Sequence, residues 1–202
     1  MADISYFLNV LSSSDRADEL TASGAPVVGG LCNFVPEEIV LALGAAPVRL
    51  CAGDHVAARR AEEILPRDSC PVVKATVGLM ERQQGLWGAI DLLVVPTSCD
   101  VKAKLPDVLG DSSSVHTLLL PRSKSDDGAR QLWLRQVWEF GRRMEQLTGR
   151  KLTANSLRRA IDLLNARQEA ARRLLEVRKA ASPPISGEET LIVLGASFYD
   201  DP

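Results

Sequence analysis

The chain has 202 residues, 46% hydrophobic and 25% charged, with a formal net charge of -2. That length suits one large domain, or one domain and the start of another, and the slightly acidic balance argues against a dedicated nucleic-acid binder. No apolar run approaches a membrane span, and the N-terminal stretch MADISYFLNVLSSSDRADEL has early acids and no basic n-region, so it is not a secretory signal. The expected compartment is the cytoplasm, where four dispersed cysteines do not make a disulfide framework.

In chain order, Pro26–Leu31, Pro47–Cys51, Leu92–Pro96 and Val115–Leu120 are apolar without alternation, as strands covered on both faces are. Between them Pro36–Leu43, His55–Ile64 and Pro71–Glu81 read as helices, with Pro36 and Pro71 in first turns, where proline is tolerated. This alternation predicts an α/β fold over residues 1–125, a Rossmann-like or flavodoxin-like parallel sheet. Residues 126–181 change character. Trp133, Val137, Phe140, Met144 and Leu147 recur at helical spacing, Gly149 breaks the pattern, and a second helix starts near Thr153 and carries Leu157, Ile161, Leu164, Ala171 and Leu175. A long helical hairpin follows from that spacing. In residues 182–202, SPPISGEE reads as a linker and TLIVLGASFYDDP as one more strand and turn. The expectation is the first strand of an incomplete second α/β domain, the fold being truncated there.

The cysteines sit where a strand-like run gives way to a loop or a helix start. Cys32 follows VVGGL, Cys51 closes APVRLC, Cys70 precedes Pro71 and Cys99 follows LLVVPTS. Parallel strands end on one edge of a sheet, so these residues can meet in space, and a helix N-terminus favours the metal-binding thiolate. Cysteine is also a common buried hydrophobe, so four inert thiols remain a reading. Structural zinc prefers local Cys pairs, whereas the gaps here are 38 residues (32 to 70) and 29 (70 to 99); a cubane gathered from separate loops tolerates such gaps better. His55 and His116 have no metal-ligand spacing. Glu37 and Glu38 lie in a first helical turn, where the dipole favours acids whatever their function; acid/base work beside a cluster is the sharper alternative. Residues 141–180 hold eleven Lys/Arg against four acids, either a solvated face or a docking surface for an acidic partner or a phosphate. The phosphate-loop and dinucleotide glycine fingerprints are absent.

Several blocks in order carry a resemblance. CNFVPEEIVLALGAAPVRLCAG, LPRDSCPVVKATVG, DLLVVPTSCDVKAKL, MEQLTGRKLTANSLRRAIDLLNARQEAARR and SPPISGEE are similar to the benzoyl-CoA reductase / 2-hydroxyacyl-CoA dehydratase family of iron–sulfur subunits. The resemblance implies a 4Fe-4S cluster held by Cys32, Cys70 and Cys99, with one iron open to a substrate oxygen, water or bridging sulfide. It implies an ATP-dependent activator that donates low-potential electrons, an acyl-CoA substrate, and a homologous second subunit or a second copy as partner. The chemistry would be radical dehydration of a 2-hydroxyacyl-CoA, a lyase reaction, or reduction of an aromatic acyl-CoA, an oxidoreductase reaction. A subset of the family carries a double-cubane cluster and reduces small molecules, and PVRLCAG leans that way. Cys51 is extra to the three-ligand pattern and is treated as a buried thiol. Two rivals stand beside this: a truncated non-catalytic or assembly subunit that keeps the fold, and a zinc-stabilised structural domain.

Overall fold

Residues 3–12, 15–51, 53–82, 85–110 and 114–200 are described in a computed structural model of the chain. Strands β1 (Val27–Gly30), β2 (Ala46–Arg49), β3 (Leu92–Pro96) and β4 (Val115–Leu118) pair in parallel, in the order β2-β1-β3-β4. The registers align Gly30 with Arg49 and with Val94, and Pro96 with Leu118. Every residue of β1 and β3 is buried, because these are the two central strands.

Side chains of a strand point alternately to its two faces, and the two cores divide on that rule. Val27, Leu93 and Val95 face one core; Val28, Leu92 and Val94 face the other. The first core is closed by α2 (Asp15–Ser23) through Leu20, by α5 (Pro71–Met80) through Val73 and Val77, and by α6 (Asp100–Leu109) through Leu105. The short α4 (His55–Arg60) packs beside α5 and runs on into a 3-10 turn whose Ala61 joins that core. The second core is closed by α3 (Glu37–Ala42) through Ile39 and Val40 and by α7 (Asp127–Thr148) through Phe140 and Met144. Leu157 of α8 (Ala154–Val177) packs against it from outside. Helices on both faces of a parallel sheet make the doubly wound α/β fold that the alternation predicts.

Local chemistry sets the helix ends. Asp54 accepts from the Val56 and Ala57 amides to start α4, and Asp126 accepts from Ala129 to start α7. Gly149 ends α7 at φ +68°, a left-handed turn that glycine adopts without steric cost. Thr153 and Ser156 form a reciprocal capping box at the start of α8.

The C-terminal segment corrects one expectation. TLIVLG is not a strand but lies within helix α9 (Gly187–Ala196). A short apolar run is ambiguous by periodicity, and here a capping box decides it: the Glu189 amide donates to Ser186 Oγ at 3.1 Å while the Ser186 amide donates to Glu189 Oε2 at 2.7 Å. Helix α9 packs against α1 (Ser5–Ser12), which, like α2, has no clear signal in the sequence. The chain then returns to the sheet: the Arg49 amide, at the end of β2, donates to the Phe198 carbonyl at 2.8 Å. No helix among the described residues is long and apolar enough to cross a membrane.

Candidate functional site

The strand order fixes where a ligand fits. From β1 the chain crosses to β2 on one side, and it later enters β3 on the other. Connections that part in this way open a crevice beyond the carboxyl ends of the two strands, the usual ligand position in open α/β sheets. Here the crevice lies past Gly30 and Val94, where the Leu31 amide still donates to the Val94 carbonyl at 3.0 Å. Cys32 follows on the β1 side. Cys99 is the N-cap of α6 on the β3 side, Cys70 is the N-cap of α5, and Cys51 follows β2. Cys32, Cys51 and Cys70 are half-buried and Cys99 is exposed.

Cys70 packs against the first core, whereas Cys99 is open to solvent. Neither Cys70 nor Cys99 makes a side-chain capping bond, so their thiols serve no helix-starting role. Cys32 and Phe34, at φ +58° and +74°, are the non-glycine residues with positive φ among those described. Such backbone costs of order 1–3 kcal/mol per residue and clusters at functional sites. The β1 loop holds that strain where the crevice opens.

Cys51 is nearer to this group than the three-ligand pattern implies. It takes a hydrogen bond from the Cys32 backbone and senses the Cys32 thiol. Burial pushes the Cys51 thiol above its ordinary value and Cys32 adds to this, while the Cys32 amide, Arg49 and Lys102 pull the other way. Tyr199 closes the same corner; burial raises its phenol and the Cys51 charge adds to that. Lys102 is only 5% exposed, and among the described residues no hydrogen bond or ion pair engages it.

Glu37 has a different occupation. Arg49 Nη2 donates to its Oε1 at 2.7 Å and Arg167 donates to its Oε2, tying β2, α3 and α8. Burial would raise its carboxyl, but the two guanidinium groups outweigh burial and hold it below the usual range. With both oxygens committed, Glu37 is placed as an ion-pair hub rather than as the proton carrier expected of it. Glu38, one position on, is half-buried. His55 opens α4, and His116 lies in β4 against Phe140 with ring centroids 5.3 Å apart.

A cavity of about 560 Å³ lies beside the strained loop, with Phe34 and Trp133 on its wall and the cations Arg122, Lys124 and Arg130 at its edge. Among the described residues no three His, Cys, Asp or Glu side chains converge enough to hold a single metal ion. Tetrahedral zinc needs that convergence. An iron–sulfur cluster is wider than one ion and takes thiolates from separate loops, and free thiols at strand-to-helix junctions have the donor chemistry it needs. Sequence reasoning misses Lys102 and Tyr199, whose only signals are the run of lysines after Cys99 and the aromatic pair after α9.

Residues 32–202 match the family model described as 2-hydroxyglutaryl-CoA dehydratase, D-component. The chain is 32% identical over 197 residues to the Escherichia coli (strain K12) protein named "Putative dehydratase subunit YjiM", covering 96% of this chain and 50% of that one. It is 21% identical over 182 residues to the beta subunit of (R)-2-hydroxyglutaryl-CoA dehydratase of Acidaminococcus fermentans, covering 88% and 48%. It is 22% identical over 178 residues to one of the subunits of benzoyl-CoA reductase from Thauera aromatica, covering 85% and 45%. The chain thus spans about half the length of the curated relatives it matches. The matched region begins at Cys32 and takes in all four cysteines, strands β2, β3 and β4, and both long helices, and by that match the chain belongs to the 2-hydroxyglutaryl-CoA dehydratase D-component family.

Proposed function

We propose that the chain is the cluster-bearing part of a cytoplasmic, ATP-activated dehydratase or reductase acting on acyl-CoA thioesters, with a 4Fe-4S cluster held by Cys32, Cys70 and Cys99. What supports this reading is that Cys32 follows β1 and that Cys70 and Cys99 stand at the N-termini of α5 and α6, all three without capping or disulfide duty. A cluster bound there would supply single low-potential electrons and one iron position open to a substrate oxygen. The residues of the chain have other tasks. Arg122, Lys124 and Arg130 would meet the phosphates of an acyl-CoA, and Phe34 and Trp133 would cover its apolar portion. Glu38 is the acid/base candidate left after Glu37 is taken up by two arginines. Relatives that are themselves named as subunits of larger enzymes support a partner subunit as the rest of the assembly.

Turnover tests the proposal. The chain is reconstituted anaerobically, then mixed with its partner subunit, the ATP-dependent activator and a 2-hydroxyacyl-CoA. The expected result is an ATP-dependent enoyl-CoA product that Cys99→Ala abolishes. A cluster-loaded chain that gives no product from 2-hydroxyacyl or aromatic acyl-CoA substrates would favour a non-catalytic or assembly subunit instead.

A further inference from the structure

Strands β1 and β2 pair at one constant offset: Val27 stands beside Ala46, Val28 beside Pro47, Gly29 beside Val48 and Gly30 beside Arg49. The Leu50 amide still donates to the Gly30 carbonyl at 2.9 Å, so the pairing continues one residue past β2. The same offset, 27 to 46 and 30 to 49, takes Cys32 to Cys51. Neighbouring strands lie about 4.8 Å apart, and a disulfide spans Cα atoms roughly 4.4–6.8 Å apart, so two cysteines in register are within bonding reach. Both chains leave the ladder at this level. The Cys51 amide turns back onto the Arg49 carbonyl at 3.1 Å, and Cys32 takes its left-handed φ of +58°. They stay together as they leave, because the Cys51 thiol accepts from the Cys32 amide. Both are free thiols and both are half-buried, open enough for a small reagent. Among the described residues no third ligand-type side chain joins them closely enough to hold an ion. The pair is placed for a bond between two sulfurs.

We propose that Cys32 and Cys51 are a thiol–disulfide pair, closed by a low-molecular-weight disulfide of the glutathione class and reopened by the corresponding thiol. One cysteine sulfur attacks the external disulfide, whose S–S bond breaks and releases a first thiol. The other cysteine sulfur attacks the mixed disulfide, which forms the Cys32–Cys51 bond and releases a second thiol. Two electrons pass from the protein sulfurs to the external disulfide, and the two cysteine protons end on the released thiols. In a cytoplasmic protein such a bond is usually transient and redox-sensing rather than structural. Closure ties the end of β1 to the end of β2 across α3. It also takes the Cys32 sulfur out of the cluster's ligand set, and that consequence, unlike the bond itself, rests on the cluster reading above.

The test treats the reduced, metal-free full chain, as wild type and as Cys51→Ala, with oxidised glutathione. Remaining thiols are alkylated and the peptides are read by mass spectrometry. The wild type is expected to lose alkylation at Cys32 and Cys51 together and to yield the two peptides linked, with dithiothreitol restoring both thiols. In Cys51→Ala the second attack has no sulfur to make it, so Cys32 is expected to keep glutathione as a stable adduct. A wild type in which Cys32 ends as that same adduct overturns the proposal, and so does one in which Cys32 is linked to Cys70 or Cys99 instead. A wild type that forms the Cys32–Cys51 bond yet takes up no iron and sulfide once reduced supports the pair and counts against the cluster reading alone, so the two fail separately.

Discussion

His116 and Cys32 both sit in settings their residue types resist, for different reasons. The His116 Nε2 atom is inaccessible and has no hydrogen-bond partner among the described residues, and burial, with Arg143 adding to it, holds the imidazole below its ordinary value of 6.5. The folded state therefore refuses a proton that the unfolded chain accepts. The sign follows directly: stability is fully present above about pH 6.5 and is lost as pH falls toward the depressed folded value. Urea denaturation at about pH 7.5 and about pH 5.5 checks this, and His116→Leu should remove that part of the slope. An unchanged slope in the variant would move the acid sensitivity elsewhere. Cys32, by contrast, is strained in its backbone. The sequence shows a cysteine after a strand there, but φ +58° emerges only when the β1 loop turns over the crevice. Lys102 is equally hidden, since nothing in SCDVKAK says which lysine faces inward until α6 lies on the sheet.

At the level of elements, two glycines separate conformation from space. Gly149 has a positive φ and nothing within 4 Å of where a Cβ would stand. Gly149→Ala should thus cost about 1 kcal/mol, the penalty for a left-handed residue. Gly78 lies inside α5, and a Cβ there would come within 2.1 Å of the Ala57 carbonyl oxygen of α4. That oxygen is backbone and cannot swing aside, so Gly78→Ala should cost about 3 kcal/mol or more. Equilibrium denaturation of both variants checks the order; equal losses would contradict the close α4–α5 approach. The central strands β1 and β3 are legible because fully covered strands are apolar runs, whereas the edge strands β2 and β4, only partly buried, carry Arg49, His116 and Thr117 among their apolar residues. Helix α9 reads as a strand on its apolar run, although its S-x-x-E cap stands in the sequence at Ser186 and Glu189. Of the two signals the cap is the more specific. Helices α1 and α2 are short, and only their packing on other parts of the fold gives them reason to form.

Across the molecule, Glu37 joins parts that lie far apart in sequence. Its carboxylate binds Arg49 at the end of β2 and Arg167 in α8, and the same Arg49 guanidinium stacks over Phe198, 5.0 Å from the ring centroid. The sheet edge, the helical hairpin and the C-terminal segment therefore meet around one acid beside the crevice. Glu37→Gln should destabilise the chain by about 2 kcal/mol at neutral pH, the scale of hydrogen bonds to charged groups, while Glu38→Gln stays within about 0.5 kcal/mol. Because the Glu37 carboxyl is lowered in the fold, its contribution is present above 4.5 and fades as pH falls through the lowered value. Denaturation midpoints of the two variants across that range measure both effects. That strand ends share one edge is foreseeable from a parallel sheet, but the switch point between β1 and β3 is not, since strand order is set by packing rather than by any one segment.

The central proposal is that Cys32, Cys70 and Cys99 hold one cluster and that Cys51, whose thiol lies within electrostatic reach of Cys32, does not. Iron and acid-labile sulfide are measured after anaerobic reconstitution of the wild type and of the four single Cys→Ala variants. About four of each per chain are expected in the wild type and in Cys51→Ala, with loss in Cys32→Ala, Cys70→Ala and Cys99→Ala. Full loading of those three variants, or loss in Cys51→Ala alone, would contradict the account.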